Sequence, residues 1–356
     1  MQNSRLLREL IAHFGLNLDG LSVYTEAASG HYAYGPILAA LAGAKHVTAQ
    51  VRDSRFGLAK DIIAHTRLLA EVYHVAETIE CVDRRSHVRL AQADIVTNSG
   101  HVRPIDRDLI DSLQPTAVIP LMWETWEFRE SDFDLNRCKE RGILVLGTNE
   151  QAAPCDMRRY IGLSGFKLLL DLGYDGGAIL VLGNSPLPGA TLVDAFRRLD
   201  LDVTWVSDDS AADMRYCDLP EYFNTFGSRY THLIAAEHHN STLLFGSGGL
   251  LDFERMKLVN PDIKVGVMCG NIDANGLYAS GLRFSPKLIA PFGFMSFQPV
   301  ELGPRPVLTL YTAGLKVGER MARSRMGGQP PSQAARASIE LGLAMDFLDE
   351  LAWTKN

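Results

Sequence analysis

The chain has 356 residues, 46% hydrophobic and 22% charged, with a formal net charge of −7. Single cores usually stop growing near roughly 250 to 300 residues, so two domains are expected. No basic block is present to neutralise nucleic-acid phosphates and no run of about 18 uncharged apolar residues to span a bilayer, so neither a nucleic acid nor a membrane is expected as a partner.

The opening stretch MQNSRLLRELIAHFGLNL sets charges among leucines and reads as an amphipathic helix, not a signal peptide. Strand LSVYTEA, helix GPILAALAGA, strand HVTAQVR and a helix over 61–75 follow. TIECV and ADIVTNS are short strands, 106–112 a helix, TAVIPLM a strand, LNRCKERG a helix and ILVLGT a strand. A long helix over 156–172 forms a strut. The strands AILVLG, DVTWVS, THLIAAE, KVGVMC and LIAPF come next, then a last strand PVLTLY running into a helix over 314–324. A closing helix over 332–351 is expected to pack back on the first unit. This alternation predicts an α/β protein: two doubly wound, Rossmann-like units with parallel sheets and an interdomain cleft. The expected domains are 1–150, a flavodoxin-like substrate domain, and 151–325, a Rossmann-type nucleotide-binding domain. Five scattered cysteines without a CxxC pair point to a reducing, cytoplasmic setting and to no zinc site.

The segment GGAILVLGNSPLPGATLVDAFRRLDLDVTWVSDD is a βαβ half, the unit that holds a dinucleotide at the carboxyl end of its first strand. Its turn carries Gly183, Asn184, Ser185, Pro188 and Gly189 where three spaced glycines are the norm. A helix N-terminus there offers N–H groups and a positive dipole end to a pyrophosphate, although Pro186 and Pro188 remove two donors. Asp208 and Asp209 end the next strand, where an acid accepts from adenosine ribose hydroxyls and repels a 2′-phosphate, which favours NAD. The plainer alternatives are a tight turn with no ligand and a polar loop with a helix cap.

Four segments resemble the D-2-hydroxyacid dehydrogenases, and more loosely formate dehydrogenase and S-adenosylhomocysteine hydrolase: KERGILVLGTNE, GGAILVLGNSPLPG, the run from HLIAAEHHNST to NGLYASGL, and RPVLTLYTAGLKVGERMARS. The resemblance implies a nucleotide-binding fold, NAD as cofactor and a homodimer. It also implies departures. The family's carboxylate-binding arginine aligns with Cys269, next to Gly270, at the nicotinamide end of a bound dinucleotide. Its general acid/base histidine aligns with Tyr311, and Glu301 is the nearest counterpart to the glutamate that tunes it. Lacking both the arginine and the histidine, the chain departs from the family's standard reaction.

Other strand ends offer substitutes. Glu237, His238 and His239 follow THLIAA, and either histidine can exchange protons near neutral pH with Glu237 orienting it. Cys269 is a nucleophile if its thiol is activated, or else a small apolar filler. In the first unit Ser29, Gly30 and His31 open a helix and can bind an anion, or Ser29 simply caps. Arg52 or Arg55, beside Asp53, can replace the carboxylate clamp. Asn98, Ser99 and Gly100 form a substrate loop with His101 as acid/base, and Trp123 and Glu124 end the next strand as a cleft wall. The leading expectation is an NAD-dependent oxidoreductase acting on a small polar metabolite, with His31, His101 or His238 moving the proton and domain closure excluding water. A transferase or lyase using an adenosine-containing ligand, and a catalytically silent ligand-binding protein, are the alternatives.

Overall fold

The computed structural model describes residues 3–355, which form two compact α/β units: 3–157 with 303–355, and 158–302. The first unit runs α1 (Ser4–Phe14), β1 (Ser22–Glu26), α2 (Tyr34–Leu41), β2 (His46–Gln50), α3 (Ala59–Val72), β3 (Ile79–Val82), α4 (His87–Leu90), β4 (Ile95–Val96), α5 (Arg107–Ser112), β5 (Val118–Pro120), α6 (Leu135–Arg141) and β6 (Leu144–Thr148). The second runs α7 (Met157–Asp171), β7 (Ala178–Gly183), α8 (Gly189–Arg197), β8 (Val203–Val206), α9 (Leu219–Phe226), β9 (Tyr230–Ala236), β10 (Leu243–Phe245), α10 (Phe253–Val259), β11 (Lys264–Cys269), β12 (Asn271–Ile272), α11 (Ala274–Ala279) and β13 (Arg283–Ser285). The chain then returns to the first unit with α12 (Pro304–Met326), α13 (Pro331–Ile339) and β14 (Ala344–Met345).

The first sheet has the order β3-β2-β1-β4-β5-β6, all parallel, with β14 added antiparallel to β6. The second has the parallel order β8-β7-β9-β11-β13, and β10 and β12 pair as a separate ribbon. Counted within each unit these are 3-2-1-4-5-6 and 2-1-3-4-5, the orders of dinucleotide-binding and flavodoxin-like sheets respectively. The strand orders are therefore the reverse of the labels expected from sequence. Hydrophobic periodicity marks where strands lie, but which strand a crossover returns beside is set by tertiary packing.

In the second unit alternate residues of each central strand feed two cores. Leu180, Leu182, Leu233, Val265 and Val267 face one side, and Ile179, Val181, Ile234, Ala236 and Met268 the other. Burial on both faces explains the near-continuous apolar runs. Gly183 and Gly189 join α8 to this sheet by direct backbone contact. A Cβ on Gly183 would lie 2.7 Å from the Gly189 Cα, and a Cβ on Gly189 would lie 2.6 Å from the Asn184 carbonyl oxygen.

Four expectations near the carboxyl end are corrected. PVLTLY is not a strand but the first half of the 23-residue α12. Gly303 breaks the preceding chain at φ 112°, and Pro304 and Pro306 sit in the first turn, where no intrahelical N–H bond is lost. Leu308, Thr312 and Leu315 then recur at helical spacing and are buried against the first unit. Gly314 and Gly318 let α12 lie close on the strands: a Cβ on Gly318 would be 2.9 Å from Pro120 and 3.0 Å from Ile95. Residues 303–325 thus belong with the first unit, and the first boundary falls at Met157. The closing helix stops at Ile339, because Gly342 at φ 73° turns the chain into β14, which pairs with Gly147 and Thr148. LIAPF is irregular; the edge strand is β13, just before it.

Gly189→Ala forces a methyl group into backbone that cannot retreat. Overpacking of this kind costs about 1 to 3 kcal/mol, read as a lower midpoint in urea unfolding. An unchanged midpoint would show that α8 can lift from β7.

Candidate functional site

In open α/β sheets ligands lie at the carboxyl edge where strand order reverses. In the first unit that point is between β1 and β4. Thr25 and Thr97, both fully buried, meet there: the Thr97 hydroxyl donates to Thr25 Oγ1 at 2.8 Å. Ser99 Oγ lies 2.8 Å from Thr97 Oγ1, and the Tyr311 hydroxyl, arriving from α12, lies 2.8 Å from Thr25 Oγ1. The result is an unbroken row of four hydroxyls from Tyr311 to Ser99. Burial raises the Tyr311 phenol above its usual range, so it stays protonated and works as a neutral hydrogen-bonding group.

The two strand ends are also tied through His101. Its backbone N–H donates to Glu26 Oε2 at 2.8 Å, and its Nδ1 lies 2.9 Å from the Ala27 carbonyl oxygen. A carbonyl only accepts, so Nδ1 carries the proton of this contact. Gln50 donates to the His101 carbonyl at 2.5 Å and accepts from the Tyr24 hydroxyl, and Arg52 donates to the Gly100 carbonyl at 3.1 Å. Asn98 is fully buried; its Oδ1 accepts from Met122 N at 2.8 Å, while its Nδ2 has no partner among the described residues. Ser29, Gly30 and His31 form an open loop into a short 3₁₀ turn, and Ser29 makes no side-chain cap. Asp53 accepts from Ala59 N at the start of α3, and Arg55 stacks over Phe56.

Glu124 is corrected from a substrate contact to a structural group. It is buried, its Oε2 accepts from Trp126 Nε1 at 2.6 Å, and its Oε1 accepts from Glu150 N at 3.1 Å. Its neighbours are the perturbed ones. Burial first, and then the Glu124 charge, push the Glu127 carboxyl up to about 7, and Glu150 is raised in the same direction.

The second unit's reversal point lies between β7 and β9. Asn184, buried in the turn after β7, donates from Nδ2 to the Leu187 carbonyl and accepts from His238 N at 2.8 Å. The turn uses its own helix-start donors: Ala190 N bonds the Asn184 carbonyl, and Thr191 N and Oγ1 bond the Pro186 carbonyl. Leu187, Pro188 and Gly189 are buried, which leaves Ser185 and Pro186 facing outward. Asp208 is exposed at the end of β8, and Asp209 accepts from Ala211 N at 2.8 Å as a turn group. Glu237 holds the loop rather than a histidine ring: Oε1 accepts from His239 N and Asn240 N, and Oε2 accepts from the Tyr216 hydroxyl at 2.5 Å. His239 is exposed and His238 half-buried. Cys269 and Gly270, at the end of β11, are both buried, and a Cβ on Gly270 would reach Leu244 at 3.0 Å. Tyr311 is displaced from its expected role. It sits on a first-unit helix, not at the end of a second-unit strand, and Glu301 lies in an exposed 3₁₀ turn. Sequence reading missed Thr25, Gln50, Thr97 and Tyr216. The signal available was a threonine at the end of each of two adjacent apolar strands. Among the described residues no three metal-binding side chains converge, and no helix is long and apolar enough to cross a membrane.

No protein-family model matches the sequence, and no curated protein matches it. Solved structures do. A dipicolinate synthase polypeptide from Bacillus halodurans superposes with a TM-score of 0.51 at 11% identity, covering 83% of this chain and 96% of its own. The 2-hydroxyacid dehydrogenase from Ketogulonicigenium vulgare Y25 gives a TM-score of 0.50 at 11% identity, covering 88% and 97%. The likeness to the 2-hydroxyacid dehydrogenases is thus one of fold: an α/β chain of two doubly wound parallel units.

The Glu127 carboxyl binds its proton more tightly when folded than at its ordinary 4.5. Its contribution to stability is complete below about pH 4.5 and is lost as pH rises through about 7. Urea unfolding at pH 5 and pH 8 should show Glu127→Gln gaining on the native protein at the higher pH. An identical difference at both values would refute the assignment.

Proposed function

We propose that this protein is an NAD-linked oxidoreductase of the 2-hydroxyacid dehydrogenase fold acting on a small polar metabolite. The carrying observation is the β7–α8–β8 unit. Gly183 and Gly189 seat α8 directly on the strand, and the carboxylate of Asp208 stands exposed at the end of β8. There it would accept from the ribose hydroxyls of an adenosine ligand, and Ser185 and the α8 dipole would serve its phosphates. The fit is good at the ribose and sparse at the pyrophosphate, where the Ala190 and Thr191 donors are already used. When bound, the nicotinamide supplies the hydride acceptor.

The first unit supplies the proton acceptor in this reading. His101 Nε2 takes the proton of the substrate hydroxyl, its ring fixed by the Ala27 carbonyl. Arg52 orients the substrate's polar groups, and the row of hydroxyls ending at Tyr311 holds the strand ends at fixed spacing. A homodimer is part of the proposal.

The occupied turn donors favour a second reading, an enzyme that binds an adenosine-containing ligand and carries out no hydride step. Calorimetric titration separates the two. NAD binding clearly tighter than adenosine, weakened about tenfold by Asp208→Asn, supports the first reading. Equal binding of NAD and adenosine supports the second, and binding of neither overturns both. With a substrate in hand, His101→Gln should leave NAD affinity intact and lower turnover by roughly 10²- to 10⁴-fold.

A further inference from the structure

Both faces of a doubly wound sheet are normally apolar. β2 departs from that: His46, Thr48 and Gln50 alternate along it, on the face that also carries Ser22 and Tyr24. Two of the three are accounted for. Gln50 bonds Tyr24 and the His101 carbonyl, and His46 Nε2 faces Glu80 at 3.3 Å. Thr48 is not. It is 2% exposed, and its hydroxyl has no hydrogen-bond partner among the described residues. The hydroxyl oxygen is not fully enclosed, so it opens onto the space beside the strand.

Thr48 borders a cavity of about 450 Å³. The cavity exists because the crossover from β3 to β4 contains only the four-residue α4, too short to cover the sheet beneath it. Its other walls include Ser22, Lys45, His46, Arg89 and Gln92. Arg89 Nε bonds Glu80, which also serves His46, and Arg89 reaches Gln92 at 3.2 Å. Asp94, the other nearby acid, is bonded to Ser22 N and Gln114. Lys45 makes no ion pair among the described residues. An exposed lysine and an arginine held by Glu80 therefore flank a hydroxyl that has no partner among the described residues, in a chain whose net charge is −7.

We propose that this cavity is a binding site for a small organic anion, with its carboxylate or phosphate group on Lys45 and Arg89 and a hydrogen-bond acceptor over Thr48. The site lies at the amino-terminal side of β1 and β2, whereas His101 and the hydroxyl row lie at the carboxyl ends. It is independent of the NAD reading and stands or falls separately.

The test uses the full chain labelled at threonine, valine and alanine methyl groups and titrated with citrate and, separately, inorganic phosphate. Saturable shifts at Thr48, Val23 and Ala93 that weaken about tenfold in both Lys45→Gln and Thr48→Val, with the methyl spectrum elsewhere native, support the site. Which probe binds more tightly assigns the carboxylate or the phosphate class. Absence of saturable shifts with both probes, or equal affinity in native and variant proteins, overturns the proposal.

Discussion

The arrangement of polar groups depends on one topological constraint. Where two neighbouring parallel strands send the chain off in opposite directions, no crossover covers their carboxyl ends. Most other strand positions are apolar and buried, so an uncompensated polar atom there is expensive. Polar side chains therefore collect at the reversal points and must satisfy one another. β1 and β4 do this through Thr25, Thr97, Glu26 and His101; β7 and β9 do it through Asn184, His238 and Glu237.

The two reversal points reach that balance differently. In the second unit the backbone does most of the bonding. Asn184 closes the turn onto itself and onto β9, Trp205 Nε1 donates to the Gly183 carbonyl, and the amides of α8's first turn bond inward. The glycines that survive are those packing demands, while the position where a dinucleotide needs close backbone approach carries Ser185. In the first unit side chains take part in the bonds, and among the described residues they leave His101 Nε2 and the Asn98 amide uncommitted. A closed turn suits a ligand gripped at its ribose; an open histidine suits chemistry.

Much of this was legible in the residues. The amphipathic α1, the apolar strands and the strut α7 follow from periodicity, and the loops after β1 and β4 were recognisable as chemically rich because both end apolar runs. What could not be read was which strands adjoin. Thr25 and Thr97 are 72 positions apart, and only the 3-2-1-4-5-6 order makes them neighbours. PVLTLY failed for a different reason: β-branched and aromatic residues favour strands locally, but two prolines in a first turn and a buried helical stripe outweigh that preference. Glu124 looked available because sequence marks the strand end and says nothing about what folds over it.

The return of α12 links these points. Tyr311 can reach Thr25 only because Gly314 and Gly318 let the helix settle on β4 and β5, and because Gly35 leaves space for the phenol ring, which a Cβ there would approach to 3.0 Å. Glu319, also on α12, accepts from Asn17 N at 3.0 Å and from Lys316 at 2.9 Å, anchoring the helix to the segment that leads into β1. The residues at both ends of that anchor, Asn17 and Glu319, are 302 positions apart in the chain, so the first unit is complete only when its last long helix is in place. Its polar edge is correspondingly a product of the whole unit. The position of one hydroxyl is set by three glycines and a carboxylate that never touch the atoms beside His101.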